Sequence, residues 1–191
     1  VALAPRLCAM NADVIVIGAG IVGAACAHAL AQAGLDVLVL DAGLHNATNA
    51  GMGHLVVMDD NPAELTLSHE SLKLWRELMP RMSADCAYHG CGTLWLAADE
   101  EEMQAAQDKQ QRLHQHGVRC ELLSRAELAA AEPALRSGLS GALKVNGDAI
   151  VYAPNAARWL LGQAGDTLTC ESVTVAAIEG TRVQLTDGQW R

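Results

Sequence analysis

The chain has 191 residues, 51% hydrophobic and 18% charged, the balance of a folded globular protein with room for one or two domains. Its formal net charge of −9 argues against a nucleic-acid partner, which would need a basic face. Phe is absent and aromatics are 3%, so the core must be built from Ala, Leu, Val and Ile.

Six cysteines, Cys8, Cys26, Cys86, Cys91, Cys120 and Cys170, are scattered with no C-x-x-C and no secretory signal ahead of them. They read as reduced thiols of a cytoplasmic protein, with Cys26 a small buried residue. The Cys86, His89 and Cys91 spacing matches no common zinc pattern, so no metal is expected. Met10 reads as the initiator and the nine residues before it as a passive extension.

In chain order, a β-branched run at residues 14–17 leads into Gly18-Ala19-Gly20-Ile21-Val22-Gly23. An Ala-rich helix follows as far as Gly34, then a second apolar run at 37–40 that ends on Asp41. This is the strand, glycine turn, helix, strand, acid order of a dinucleotide-binding unit. Gly18 permits the tight turn, Gly20 leaves the backbone open to a pyrophosphate, and Gly23 lets the helix lie close on the sheet. The helix N-terminus turns free N–H groups and a partial positive charge toward the phosphates. Asp41 is placed to accept from a ribose diol and would repel a 2′-phosphate. Residues 14–35 contain no charged residue and are long enough to cross a bilayer. The glycine turn, the second strand and the lack of basic or aromatic anchors argue instead for a soluble fold with no transmembrane segment.

Residues 42–54 form a glycine-rich loop of small and polar residues, too irregular in pattern for regular structure and suited to close approach of a ligand. Asn61, Pro62 and Glu64 open a helix that runs to Pro80, with Leu65, Leu72 and Trp75 near one face. Residues 87–89 and 93–97 read as strands. Residues 99–116 form an amphipathic helix with acids first and Arg112, His114 and His116 last, which makes the two histidines a helix terminus before a metal site. A strand at 118–123, a helix capped by Ser124 and Glu127 as far as Pro133, and a strand at 139–145 follow. A helix from Pro154 to Leu161 leads to two or three strands over 167–178 and 182–186, with Asp187-Gly188 as a hairpin turn. The layout implies a nucleotide domain interrupted by a second, sheet-containing domain.

Those landmarks together resemble the D-amino-acid oxidase and glycine oxidase type of FAD-dependent oxidoreductases. They are the glycine turn extended through Ala27 and Gly34, Asp41, the Thr48 to Gly53 loop, Gly92-Thr93-Leu94, Leu123-Ser124 with Glu132-Pro133, Gly141-Ala142-Leu143, and Val173 to Ile178. The resemblance covers nearly the whole chain. The segment through His54 to Val57 is similar to catalytic subunits of multi-subunit amino-acid dehydrogenases, including those acting on D-hydroxyproline. The fold implied is α/β: a Rossmann-like FAD-binding domain of residues 10–86 and 146–191, interrupted by part of an α+β substrate domain with a mixed sheet at 87–145.

The cofactor implied is FAD. Gly18, Ala19, Gly20, Ile21, Val22 and Gly23 would face its pyrophosphate, and Asp41 with Ala42 its adenosine ribose. Thr48, Asn49, Ala50, Gly51, Met52, Gly53 and His54 would run beside the ribityl chain and ring, and Val175 would meet the adenine through its backbone. In some relatives a histidine near this loop is joined covalently to the flavin; at His54 simple packing near the ring is the expected arrangement. The chemistry implied is hydride transfer to flavin from the carbon bearing the amine of an amino acid or secondary amine, of the D-amino acid, glycine, sarcosine or D-hydroxyproline type. Electrons could then pass to a partner subunit. The family continues beyond the position of Arg191, and its substrate-binding arginine and tyrosine lie there, so the chain reads as an N-terminal half with no catalytic residue named. An NAD-dependent dehydrogenase shares the glycine turn and the acid, but is poorly served by the Thr48 to Gly53 loop. A truncated nucleotide-binding subunit, its sheet edge covered by another chain, is the third reading.

Overall fold

A computed structural model describes residues 12–57, 59 and 61–191; Cys8 and the proposed start at Met10 lie outside the described residues. In chain order the elements are β1 (Val14–Ile17), α1 (Ile21–Gln32), β2 (Val37–Asp41), α2 (Ala47–Ala50), β3 (His54–Leu55), α3 (Pro62–Leu78), β4 (Thr93–Ala97), α4 (Glu100–Gln115), β5 (Cys120–Ser124), α5 (Arg125–Ala131), β6 (Gly141–Val145), β7 (Ala149–Ile150), α6 (Ala153–Gly162), β8 (Leu168–Ser172), β9 (Val175–Glu179) and β10 (Arg182–Leu185). The chain divides into two units, one of residues 12–52 with Tyr152–Arg191 and one of Gly53–Val151. The boundaries expected from sequence lie at 86/87 and 145/146. Much of the difference is α3, whose Leu65 and Leu72 are buried in the core of the second unit.

In the first unit β1, β2 and β8 form a parallel sheet with β2 in the middle. The four residues Val37 to Leu40 are buried on both faces, which explains why this strand reads as a continuous apolar run. Val37 and Val39 pack with Ala27 and Ala31 of α1, and with Ala164 just after α6. Leu38 and Leu40 pack on the other face with Val183 and Leu185 of β10. Each such side chain contributes about 1.5–3 kcal/mol relative to exposure. Ala24, Ala27 and Ala31 are the buried stripe of α1, and their small size brings the helix close to the sheet. Cys26 was expected to share that burial but is exposed. It lies one residue off the stripe, about 100° round the helix.

The β9–β10 pair is antiparallel, and the chain turns back at Asp187-Gly188 as expected, with Leu185 N–H donating to Gln189 at 2.8 Å and Gln184 bridging Trp190.

In the second unit β4, β6 and β5 form an antiparallel sheet with β6 central. Side chains alternate across it. Leu143 and Val145 join Leu65, Leu72, Ala106 and Leu113 from α3 and α4, while Ala142 packs with Leu128 of α5 and Leu139. The expected helix starts are present: Asn61 accepts from Glu64 N–H at 2.9 Å, Asp99 from Glu102 N–H at 2.9 Å, and Ser124 with Glu127 forms a reciprocal capping box. His114 and His116 each spend a ring nitrogen on a nearby carbonyl, of Cys120 and Arg112.

Two further local expectations fail. Residues 87–89 are not a strand, because Ala84–Cys86 is a 3-10 turn and Ala87 follows it in the left-handed region at φ 49°; only His89 bridges to Ile150. Residues 42–54 are not wholly irregular, since Asn46 caps the short helix α2 by accepting from Asn49 N–H at 3.1 Å, and His54 opens the two-residue strand β3 against β7.

Asp148 is the notable buried charge of this unit, 2% exposed. Its Oδ1 accepts from Val57 N–H at 3.2 Å, and Arg76 donates to the neighbouring Gly147 carbonyl at 3.1 Å. Burial pushes the Asp148 carboxyl above the ordinary aspartate value, against hydrogen bonds from Thr93 and Val57 and the positive charges of Arg76 and Lys109, which pull it down.

Candidate functional site

The first unit carries a cleft of about 580 Å³ at the C-terminal end of its parallel sheet. Its floor is the glycine turn. Gly18 N–H donates to Leu40 O at 2.8 Å, and Gly18 has φ +100°, a conformation that favours glycine. Gly20 is the N-cap of α1, and the first helical bond runs from Ala24 N–H to its carbonyl at 2.8 Å. At Gly23 a Cβ would stand 1.9 Å from the Gly18 carbonyl oxygen, so turn and helix can meet only if this residue has no side chain.

Asp41 ends β2 beside this turn. Its Oδ2 accepts from Ala19 N–H at 2.6 Å and its Oδ1 from Gly43 N–H at 2.7 Å. The carboxylate therefore latches the turn to the strand, while about half of its four lone-pair sites stay open to other donors. Thr48 closes the cleft from α2, its Oγ1 accepting from Ile21 N–H at 2.9 Å. Val173 N–H donates to Asp41 O at 3.0 Å and brings the segment before β9 alongside. The thiol of Cys170 on β8 is pushed up, first by desolvation and then by the charge of Asp41, so it stays protonated.

Of the residues singled out from sequence, Gly18, Gly20, Ile21, Val22, Gly23, Asp41, Ala42, Thr48 and Val175 line this cleft together. Ala19 contributes its N–H to Asp41 but does not line it, and neither do Asn49, Ala50, Gly51 and Met52. Gly53 and His54 belong to the second unit, where Gly53 O accepts from Val151 N–H at 2.9 Å and His54 pairs with Ile150. Leu44, Asn46, Val173 and Thr174 also line the cleft and were not singled out. Asn46 had a legible signal, as an N-cap residue three before Asn49. Leu44 lies in the loop just after Asp41, and Val173 and Thr174 open the segment through Ile178 that the resemblance picks out, but none of the three carries a spacing signal of its own.

This cleft suits the diphosphate and ribose of a dinucleotide. The α1 N-terminus has no acidic residue in its first turn and no side-chain cap of its own, and the cradle at Gly20 and Gly23 has no space for a Cβ. A larger cavity of about 780 Å³ lies within the second unit, between α3, α4 and β4. There Lys109 sits 3.7 Å from the Trp95 ring centroid and pairs with Asp59, which also meets Arg112 at 3.1 Å. Burial, then Arg112, lowers the Lys109 ammonium from its ordinary value. Asp59 is thus shared between two cations, and the cluster is an internal ion-pair network. Among the described residues no three His, Cys, Asp or Glu side chains stand close enough to hold a metal, and no helix is long and apolar enough to cross a membrane.

The sequence is 28% identical over 214 aligned positions to glycine oxidase of Pseudomonas aeruginosa, an alignment that covers 95% of this chain and 56% of the relative. Among solved structures, glycine oxidase from Geobacillus kaustophilus superposes with a TM-score of 0.78 at 26% identity, over 93% of this chain and 52% of that one. An L-amino acid deaminase from Proteus myxofaciens superposes with a TM-score of 0.83 at 20% identity, over 98% of this chain and 45% of that one, a likeness of fold. The chain thus spans about half the length of the relatives it matches. The model of the FAD dependent oxidoreductase family, DAO, matches residues 13–190, and the chain belongs to that family.

Proposed function

We propose that this chain supplies the FAD-binding part of an oxidoreductase that oxidises the C–N bond of an amino acid or secondary amine. The observation that carries this reading is the single cleft in which the glycine turn, Asp41, Thr48 and Val175 meet, in a chain of this family. In this reading the first unit is the FAD-binding domain and the second is part of the substrate domain. When bound, FAD supplies a two-electron acceptor for the hydride leaving the amine-bearing carbon.

The chain's own residues bind and orient. Gly18 to Gly23 and the α1 N-terminus hold the diphosphate, Asp41 accepts from the ribose hydroxyls, and the backbone near Val175 meets the adenine. Asn49 to Met52, and Gly53 and His54 after them in the chain, carry their cofactor-facing assignment on the family resemblance. The substrate proposed is a small amino acid or amine of the D-amino acid, glycine, sarcosine or D-hydroxyproline type; the glycine oxidase relatives support its amino-acid character. A cytoplasmic setting, and a partner subunit that takes the electrons, belong to the same proposal.

The test is reconstitution with FAD. Folded protein should take up the cofactor, show the flavin absorption band, and in the full-length enzyme be bleached anaerobically by one member of an amino-acid and cyclic-amine panel. Folded, colourless protein that takes up no FAD would overturn the reading.

A further inference from the structure

The hydroxyl of Thr48 already stands on the helix end that an anionic ligand of this cleft would use. α1 starts at Gly20, which has no side chain to cap it, and its first turn carries no acid. The cap comes instead from 27 residues away, where Thr48 Oγ1 accepts from Ile21 N–H at 2.9 Å. The oxygen presses so near the turn that a Cβ on Gly20 would come within 2.9 Å of it. Asn46 fixes α2, and so Thr48, by accepting from Asn49 N–H. A hydroxyl has one proton and two lone pairs. The Ile21 bond uses a lone pair, and among the described residues no protein group accepts the Thr48 proton.

We propose, on the reading that FAD occupies this cleft, that Thr48 is a positioning residue that caps α1 and relays the helix end to the diphosphate. It accepts Ile21 N–H and donates its own proton to an anionic oxygen. The N–H polarises the hydroxyl and makes it a stronger donor than an isolated one. The same bond ties α2 to the glycine turn in advance, so less of the binding free energy goes into ordering that segment.

Thr48→Val keeps the shape and removes both hydrogen-bonding roles, and Thr48→Ser keeps the hydroxyl. Each is titrated with FAD and ADP, which carry the diphosphate, and with adenosine, which does not. Thr48→Val should weaken FAD and ADP by about ten- to a hundredfold and leave adenosine unchanged, the range for a hydrogen bond to a charged group. Thr48→Ser should bind all three as wild type does. Equal FAD binding by Thr48→Val, or an equal loss for adenosine and ADP, would overturn the relay. Amide exchange of wild-type Ile21 without ligand reads the cap independently of any variant's folding: protection is expected, and exchange at the unprotected rate would refute it. Wild-type protein that binds neither FAD nor ADP, with Ile21 protected, overturns the FAD reading and the relay with it but leaves the cap standing.

Discussion

Replacing Gly23 by alanine probes the contact on which the proposed FAD cleft is built. The added Cβ would lie 1.9 Å from the Gly18 carbonyl oxygen, 3.0 Å from its carbon and 3.5 Å from Val16 Cγ1. A carbon sits no nearer than about 3.3 Å to such an oxygen, so the shortfall is about 1.4 Å. Both closest atoms are backbone and cannot rotate aside, so α1 itself must retreat. That movement loosens Ala27 and Ala31 from Val37 and Val39. We expect a loss at the upper end of the overpacking range, about 3 kcal/mol, and a fall in Tm of about 6–12 °C for a chain of this size. FAD affinity should fall more than about tenfold, because the moving residues are the cleft floor.

Gly34→Ala is the matched control. Gly34 has φ +86° but nothing within 4 Å of its would-be Cβ. It should cost about 1–2 kcal/mol in backbone strain and leave FAD binding unchanged. Thermal melts of the apoprotein and fluorescence titration with FAD, run on both variants, separate clash from strain. A Gly23→Ala protein that melts within about 2 °C of wild type and binds FAD normally would refute the described contact.

Asp41→Asn leaves one acceptor oxygen where two N–H groups now each have their own, so either Ala19 or Gly43 loses its partner. The expected cost is about 1–3 kcal/mol in denaturant unfolding together with weaker FAD binding; retention of both would mean the latch is dispensable. Asp148 gives a pH prediction. Its folded-state pKa is raised by burial, so between the ordinary aspartate pKa and the raised value the folded state holds the extra proton. Stability therefore falls as pH rises through that window, and Asp148→Asn should flatten this slope in urea melts taken across acidic pH. An unchanged slope would show that Asp148 ionises as easily folded as unfolded.

Local spacing was enough for the glycine turn, for β2 and its terminal acid, and for the caps at Asn61 and Ser124, because each is a backbone requirement met by residues within a few positions of one another. The turn at Asp187-Gly188 was legible for the same reason. The burial expected of Cys26 fails because a helix so rich in alanine shows no apolar face in its sequence; which stripe is buried is decided by where the sheet and α6 lie. Residues 87–89 looked extended by composition, but the 3-10 turn before them and the left-handed Ala87 diverted the backbone.

By itself the sequence determined that a dinucleotide-type turn, an acid and an Ala-rich helix follow one another, since glycine spacing and hydrophobic period act over short range. Only the tertiary structure decided that Asp41 latches the turn through Ala19, that Thr48 caps α1 across 27 residues, and that Val173 and Thr174 return beside them. It also placed α3 in the second unit, because Leu65 and Leu72 find their apolar partners on α4 and β6. Such pairings join residues far apart in the chain, and they form where burial and hydrogen-bond satisfaction are met together in three dimensions.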